Sequence, residues 1–99
     1  MARPSFYRRR FLNRRGHHAG AYALAQVRTE ASWEPGSDDR RVDAQLTLAD
    51  CGRVVSLEFD VDTAGDARNA LYKARLLRSI IIGFTEALEQ AVAETGHQQ

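Results

Sequence analysis

The stretch Val42-Asp43-Ala44-Gln45-Leu46-Thr47-Leu48-Ala49-Asp50-Cys51-Gly52-Arg53-Val54-Val55-Ser56-Leu57-Glu58-Phe59-Asp60-Val61 decides the fold. Val42, Ala44, Leu46 and Leu48 alternate with Asp43, Gln45 and Thr47, and Val55, Leu57, Phe59 and Val61 alternate with Ser56, Glu58 and Asp60. A period of two places each apolar set on one face of a strand. A two-residue turn at Cys51-Gly52 then sets Leu48 against Val55, Leu46 against Leu57, Ala44 against Phe59 and Val42 against Val61, with Asp50 opposite Arg53. One register aligns every apolar position, which is the signature of an antiparallel hairpin with a single apolar face.

Upstream, residues 21 to 34 read as extended. Tyr22 and Leu24 hold one phase, and Val27, Thr29, Ala31 and Trp33 hold the other. The change of phase predicts a bulge, or a strand covered on both faces. Pro35-Gly36-Ser37-Asp38-Asp39 supplies turn chemistry, and Trp33 before it reads as an anchor at the strand end.

Downstream, Asp62 or Thr63 can cap a helix, with Thr63 and Asp66 at capping-box spacing. Helical periodicity runs from about Ala64 to Glu94, and Gly96 is a natural stop. At 1.5 Å per residue the helix is roughly 46 Å long, more than one small sheet requires. Its apolar arc holds Ala67, Ala70, Ala74, Leu77, Ile81, Phe84, Leu88 and Val92, widened by Leu76, Ile80, Ala87 and Ala91. An arc this broad can cover a sheet and a second helix. Gly83 within it costs about 1 kcal/mol against alanine and marks a bend or a close backbone approach.

Charge is distributed unevenly over the 99 residues. The first twenty carry six arginines and no acid, whereas the rest carry eight basic residues against thirteen acidic ones. The formal charge of +1 therefore conceals a basic N-terminus and an acidic body. Pro4 and Gly16 bracket a possible short helix, but Phe6, Tyr7, Phe11 and Leu12 scatter around it without a stripe, so a basic arm is the simpler expectation.

The expected fold class is α+β, a three-stranded antiparallel β-meander packed on one long C-terminal α-helix, with a basic N-terminal arm or short helix. Residues 1–20 form the arm, 21–96 a single α+β domain and 97–99 a tail. An optional helix, three strands and a helix resemble the double-stranded-RNA-binding fold in element order alone. The long helix begins Asp66-Ala67-Arg68-Asn69 where that family has a Lys-rich start, so none of its residues are carried over.

An apolar content of 43% with 27% charged residues is ordinary for a folded chain. The longest apolar run, Ile80 to Phe84, falls far short of the ~20 residues needed to span a bilayer, so no membrane partner is expected. A single cysteine, Cys51, excludes an intramolecular disulfide and fits a cytoplasmic location. GxGxxG, GxxxxGK[ST], HExxH and GxSxG motifs do not occur, so no enzymatic activity, cofactor or metal is expected. His17-His18 lacks the spacing of a helical metal pair, and Cys51 reads as a turn residue.

Two interaction surfaces are expected. Arg8, Arg9, Arg10, Phe11, Arg14 and Arg15 can contact an acidic macromolecule, with an acidic protein surface ranked above nucleic acid because the body itself would repel phosphate. The long helix carries Arg68, Lys73, Arg75 and Arg78 in its first half and Glu86, Glu89 and Glu94 in its second. An antiparallel copy would oppose unlike charges, which predicts a homodimer through Leu76, Ile80, Ile82, Gly83 and Ala87. Asp43, Glu58, Asp60 and Asp62 read as a solvated sheet face, with Asp43 opposite Asp60. The expected role is thus a small nonenzymatic adaptor or inhibitor-like protein, the alternative being a nucleic-acid binder that uses the arginines on phosphates and the aromatics on bases.

Overall fold

The structure, a computed structural model, describes residues 4–17, 20–31 and 40–96. Four strands and one helix follow in order: β1 (Pro4–Phe11), β2 (Tyr22–Ala31), β3 (Arg40–Asp50), β4 (Arg53–Glu58) and α1 (Ala64–Thr95). The strands form one antiparallel sheet in the order β1-β2-β3-β4. The chain is α+β as expected, with four strands in place of three.

The additional strand is the correction. Residues 4–11 are neither a helix nor a free arm; they pair with β2 from Pro4 opposite Arg28 to Phe11 opposite Tyr22. β-branched and aromatic side chains favour a pleated surface, and Phe6, Tyr7 and Phe11 supply it here. Pro4 sits at the strand start on the sheet edge, where its missing N–H leaves no ladder position empty. With the first element a strand, the resemblance in element order to the double-stranded-RNA-binding fold also ends.

The β3–β4 hairpin has the expected register throughout. Leu46 faces Leu57, Leu48 faces Val55 and Asp50 faces Arg53. Phe59 N–H donates to the Ala44 carbonyl (2.9 Å), and an isolated bridge joins Val42 to Val61. Cys51 (φ 50°) and Gly52 (φ 79°) both lie at positive φ, which gives the turn its type I′ character and matches the right-handed twist of the strands.

β2 pairs with β3 from Tyr22 opposite Ala49 to Ala31 opposite Arg40 without interruption. The change of phase in its sequence therefore reflects an inner strand half-buried on both faces, and the irregularity lies instead between Pro4 and Phe6 of β1. Trp33 and the expected turn at residues 35–39 lie outside the described residues.

α1 is one continuous helix. Thr63 caps it by accepting from Asp66 N–H (3.1 Å), and the Asp66 carboxylate accepts from Thr63 N–H (3.3 Å), closing the capping box. Gly96 ends it at φ 77°, a left-handed conformation glycine adopts without strain. Arg41 ties this start to the sheet, reaching Asp43 (2.9 Å), Asp62 (3.4 Å) and Glu30 (3.6 Å). Lys73 Nζ donates to the Glu58 carbonyl (2.7 Å) and lies 4.9 Å from the Phe59 ring centre.

Beyond these tethers the helix stands away from the sheet. Among the described residues the buried set is Ala21, Ala44, Thr47, Ala49 and Ala70, and no large side chain is fully buried. The molecule measures 62 × 26 × 20 Å with a radius of gyration of 17.7 Å. A compact domain of this length has a radius near 13 Å. The helix faces the sheet across a gap, where tight packing was expected.

Candidate functional site

Two surfaces remain unfilled by the fold, an arginine-bearing sheet edge and an apolar cleft. β1 is an edge strand, so one side of its backbone pairs with β2 and the other meets no further strand among the described residues. Side chains alternate along it, with Phe6, Arg8 and Arg10 sharing the helix-facing side and Tyr7, Arg9 and Phe11 sharing the other. All six are exposed.

Two of the arginines lie over aromatic rings. Arg8 is 5.4 Å from the Phe6 ring centre, and Arg9 is 5.7 Å from Phe11 and 5.5 Å from Tyr22. Such contacts hold the planar guanidinium groups at the surface with their N–H edges free to bind a carboxylate or phosphate. Among the described residues, no carboxylate lies within ion-pairing distance of Arg8, Arg9 or Arg10, the described salt bridges all belonging to Arg41. Arg14 and Arg15 lie in the exposed turn after β1, where His17 N–H donates to the Arg14 carbonyl (3.0 Å). The structure thus gathers all six expected partner-binding residues at one edge and end of the sheet.

The middle of that outer face carries a polar, largely self-satisfied ladder. Gln26 donates to Gln45 (3.5 Å), Gln45 donates to Glu58 (3.1 Å), and the Thr47 and Ser56 hydroxyls are 2.9 Å apart. Asp43 and Asp60 are opposite in the hairpin register, yet each has a partner. Asp43 accepts from Arg41 (2.9 Å) and Asp60 accepts from Ala44 N–H (3.0 Å). Among the described residues no cluster of three or more potential metal ligands occurs.

Behind the other face lies the cleft. Phe6, Ala25, Val27, Val42, Leu46, Phe59 and Val61 line it from the sheet and its flank, and Ala67, Ala70, Leu71, Leu77, Ile81 and Ile82 line it from α1. Its volume is about 710 Å³. Were it an enclosed void, ~24 cal/mol per Å³ would put its cost on the order of 15 kcal/mol, the whole stability of a small domain. A space this large, walled almost wholly by carbon, is a place for another apolar body.

The expected dimer residues divide between two sides of the helix. Ile82 lines the cleft, while Leu76, Ile80, Gly83 and Ala87, at successive helical spacings of four, three and four, share the opposite side. Leu76 borders a shallow depression with Arg68, Leu71, Tyr72 and Arg75. A β-carbon placed on Gly83 meets nothing within 4 Å, so this side is open. The cleft itself was not foreseen: periodicity shows which face is apolar, whereas the helix-to-sheet distance leaves no mark in it.

Cys51 is exposed, and its thiol is pushed above its ordinary pKa chiefly by a hydrogen bond to Asp50, then by the charge of that carboxylate and slight desolvation. Raising a thiol pKa suppresses the nucleophilic thiolate. Among the described residues no helix is long and apolar enough to cross a membrane. Compared with protein-family models, curated proteins and solved structures, the chain has no match in any of the three.

Proposed function

We propose that this is a nonenzymatic interaction protein, homodimeric through α1, that presents the β1 arginines to an acidic protein surface. The observation carrying this reading is the exposed row Arg8-Arg9-Arg10 on an edge strand, with Arg8 and Arg9 seated on aromatic rings. An edge strand offers an extended acidic segment both backbone hydrogen bonds and guanidinium forks. The acids Asp43, Glu58 and Asp60 on the same sheet oppose a long phosphate backbone more than a short acidic peptide.

A second reading rests on the same rings. Arg9 over Phe11 and Tyr22 forms a basic aromatic platform of the kind on which single-stranded bases stack. Fluorescence anisotropy with a glutamate-rich peptide and with a single-stranded oligonucleotide, each at low and at physiological salt, separates the two. The peptide is expected to bind the full chain, and the triple variant Arg8→Gln, Arg9→Gln, Arg10→Gln to lose that binding. Tighter binding of the oligonucleotide at equal ionic strength reverses the ranking, and binding of neither at low salt removes both readings. Substitution is preferable to deletion here, because removing residues 4–11 removes a strand.

A further inference from the structure

We infer that the apolar cleft is filled by a second copy of this chain, whose α1 lies antiparallel and seats its C-terminal half, Ile81 to Val92, between the first copy's helix and sheet. This deepens the homodimer reading and rests on it.

The stripe that lines the cleft does not stop where the sheet stops. Ala67, Ala70, Ala74, Leu77 and Ile81 face the sheet, and the same helical spacing continues through Phe84, Leu88 and Val92, past the last cleft residue, Ile82. Phe84 is 62% and Leu88 51% exposed. Closing the helix down on its own sheet would fill the gap and still leave these two in water, because no part of that sheet lies opposite them. A second copy covers both lengths at once, since each chain offers the half-helix that the other lacks.

The register of that pairing follows from the helix itself. An antiparallel pair centred between Ser79 and Ile80, the midpoint of Ala64–Thr95, sets Leu71 opposite Leu88, Ala67 opposite Val92 and Leu77 opposite Ile82. A two-fold axis across the pair brings like flanks together. One flank of the stripe carries Arg68 and Arg75 in its first half and Glu86 and Glu89 in its second. The pairing therefore places Arg75 near the second copy's Glu86 and Arg68 near its Glu89, twice over. A charge order that opposes the dipole of a lone helix becomes complementary in this pair.

The areas agree. A folded monomer of 11.1 kDa exposes roughly 5,700 Å² by the size relation for globular chains. This chain exposes 8375 Å², an excess of about 2,700 Å² over that relation. A standard interface needs only about 800 Å² from each partner, so the excess suffices for an extensive, mutually inserted dimer. Pairing through Leu76, Ile80, Gly83 and Ala87 alone would leave the cleft open.

Crosslinking in a Cys51→Ala background tests this. Leu71 and Leu88 are about 25 Å apart along one helix, beyond the reach of any disulfide. Mixing L71C chains with L88C chains and oxidising is expected to give a covalent dimer that neither variant gives alone. A Leu88→Asp chain is expected to weaken the dimer in sedimentation, with its helical circular dichroism falling on dilution and recovering at higher protein concentration. A dimer that crosslinks only through an L76C and A87C mixture, or through neither mixture, overturns the cleft assignment and leaves homodimerisation standing. A monomer at high micromolar concentration overturns both.

Discussion

Cys51 occupies a backbone position that other residues fill at lower cost. Its φ of 50° lies in the left-handed region, where a β-carbon crowds the following carbonyl by roughly 1 kcal/mol or more, and asparagine tolerates that region best among residues with side chains. Cys51→Asn, giving Asn-Gly at a type I′ turn, is expected to stabilise the hairpin by about 0.5 kcal/mol and raise the melting temperature by a few degrees. Gly52→Ala, at φ 79°, should shift it the other way, and thermal circular dichroism reads both. The same turn controls the thiol. Asp50 holds the thiol pKa up, so less thiolate is present at any pH below it, and Asp50→Asn should accelerate alkylation at pH 8. Equal rates for the two proteins would show that the carboxylate does not govern the thiol.

Among the elements, the start of α1 is where helix and sheet are joined. Thr63→Ala removes one half of the capping box and is expected to cost about 1 kcal/mol, read as a lower urea midpoint. Arg41, 14% exposed at its side chain, links β2, β3 and the residue before the helix cap. Arg41→Met keeps the apolar stem and leaves three carboxylates that are a third to a half exposed, so water compensates part of the loss. The expected cost is about 1–2 kcal/mol, well below that of a fully buried broken pair. This joint was only partly legible in the sequence. The capping box was visible because Thr63 and Asp66 act locally, as was the hairpin, whose alternation admits one register. The Arg41 cluster brings together Glu30, Asp43 and Asp62 from separate segments, and no spacing records it. β1 was illegible for a different reason: Arg8 and Arg10 share a face with Phe6, and Arg9 shares the other with Phe11, so neither face has an apolar period. An edge strand armed with arginine resists pairing with stray strands, and that protection removes the pattern by which strands are recognised.

At the scale of the molecule, a chain whose buried residues, among those described, are four alanines and a threonine draws little stability from its own interior. The proposed dimer would supply the missing burial, so the melting temperature should rise with protein concentration, as mass action requires of a folded dimer and not of a folded monomer. Leu76 then discriminates between the two faces of α1. It is 48% exposed on the side away from the cleft and precedes the half-helix that enters the second copy. With the second helix in the cleft Leu76 stays in water, and Leu76→Gln should leave the dimer constant and the melting temperature at each concentration nearly unchanged. A helix packed against the stripe of Leu76, Ile80, Gly83 and Ala87 would instead bury Leu76, and the polar side chain would loosen the dimer. Sedimentation equilibrium and thermal denaturation of this one variant, run over a common range of concentrations, therefore report which face of the helix the second copy covers.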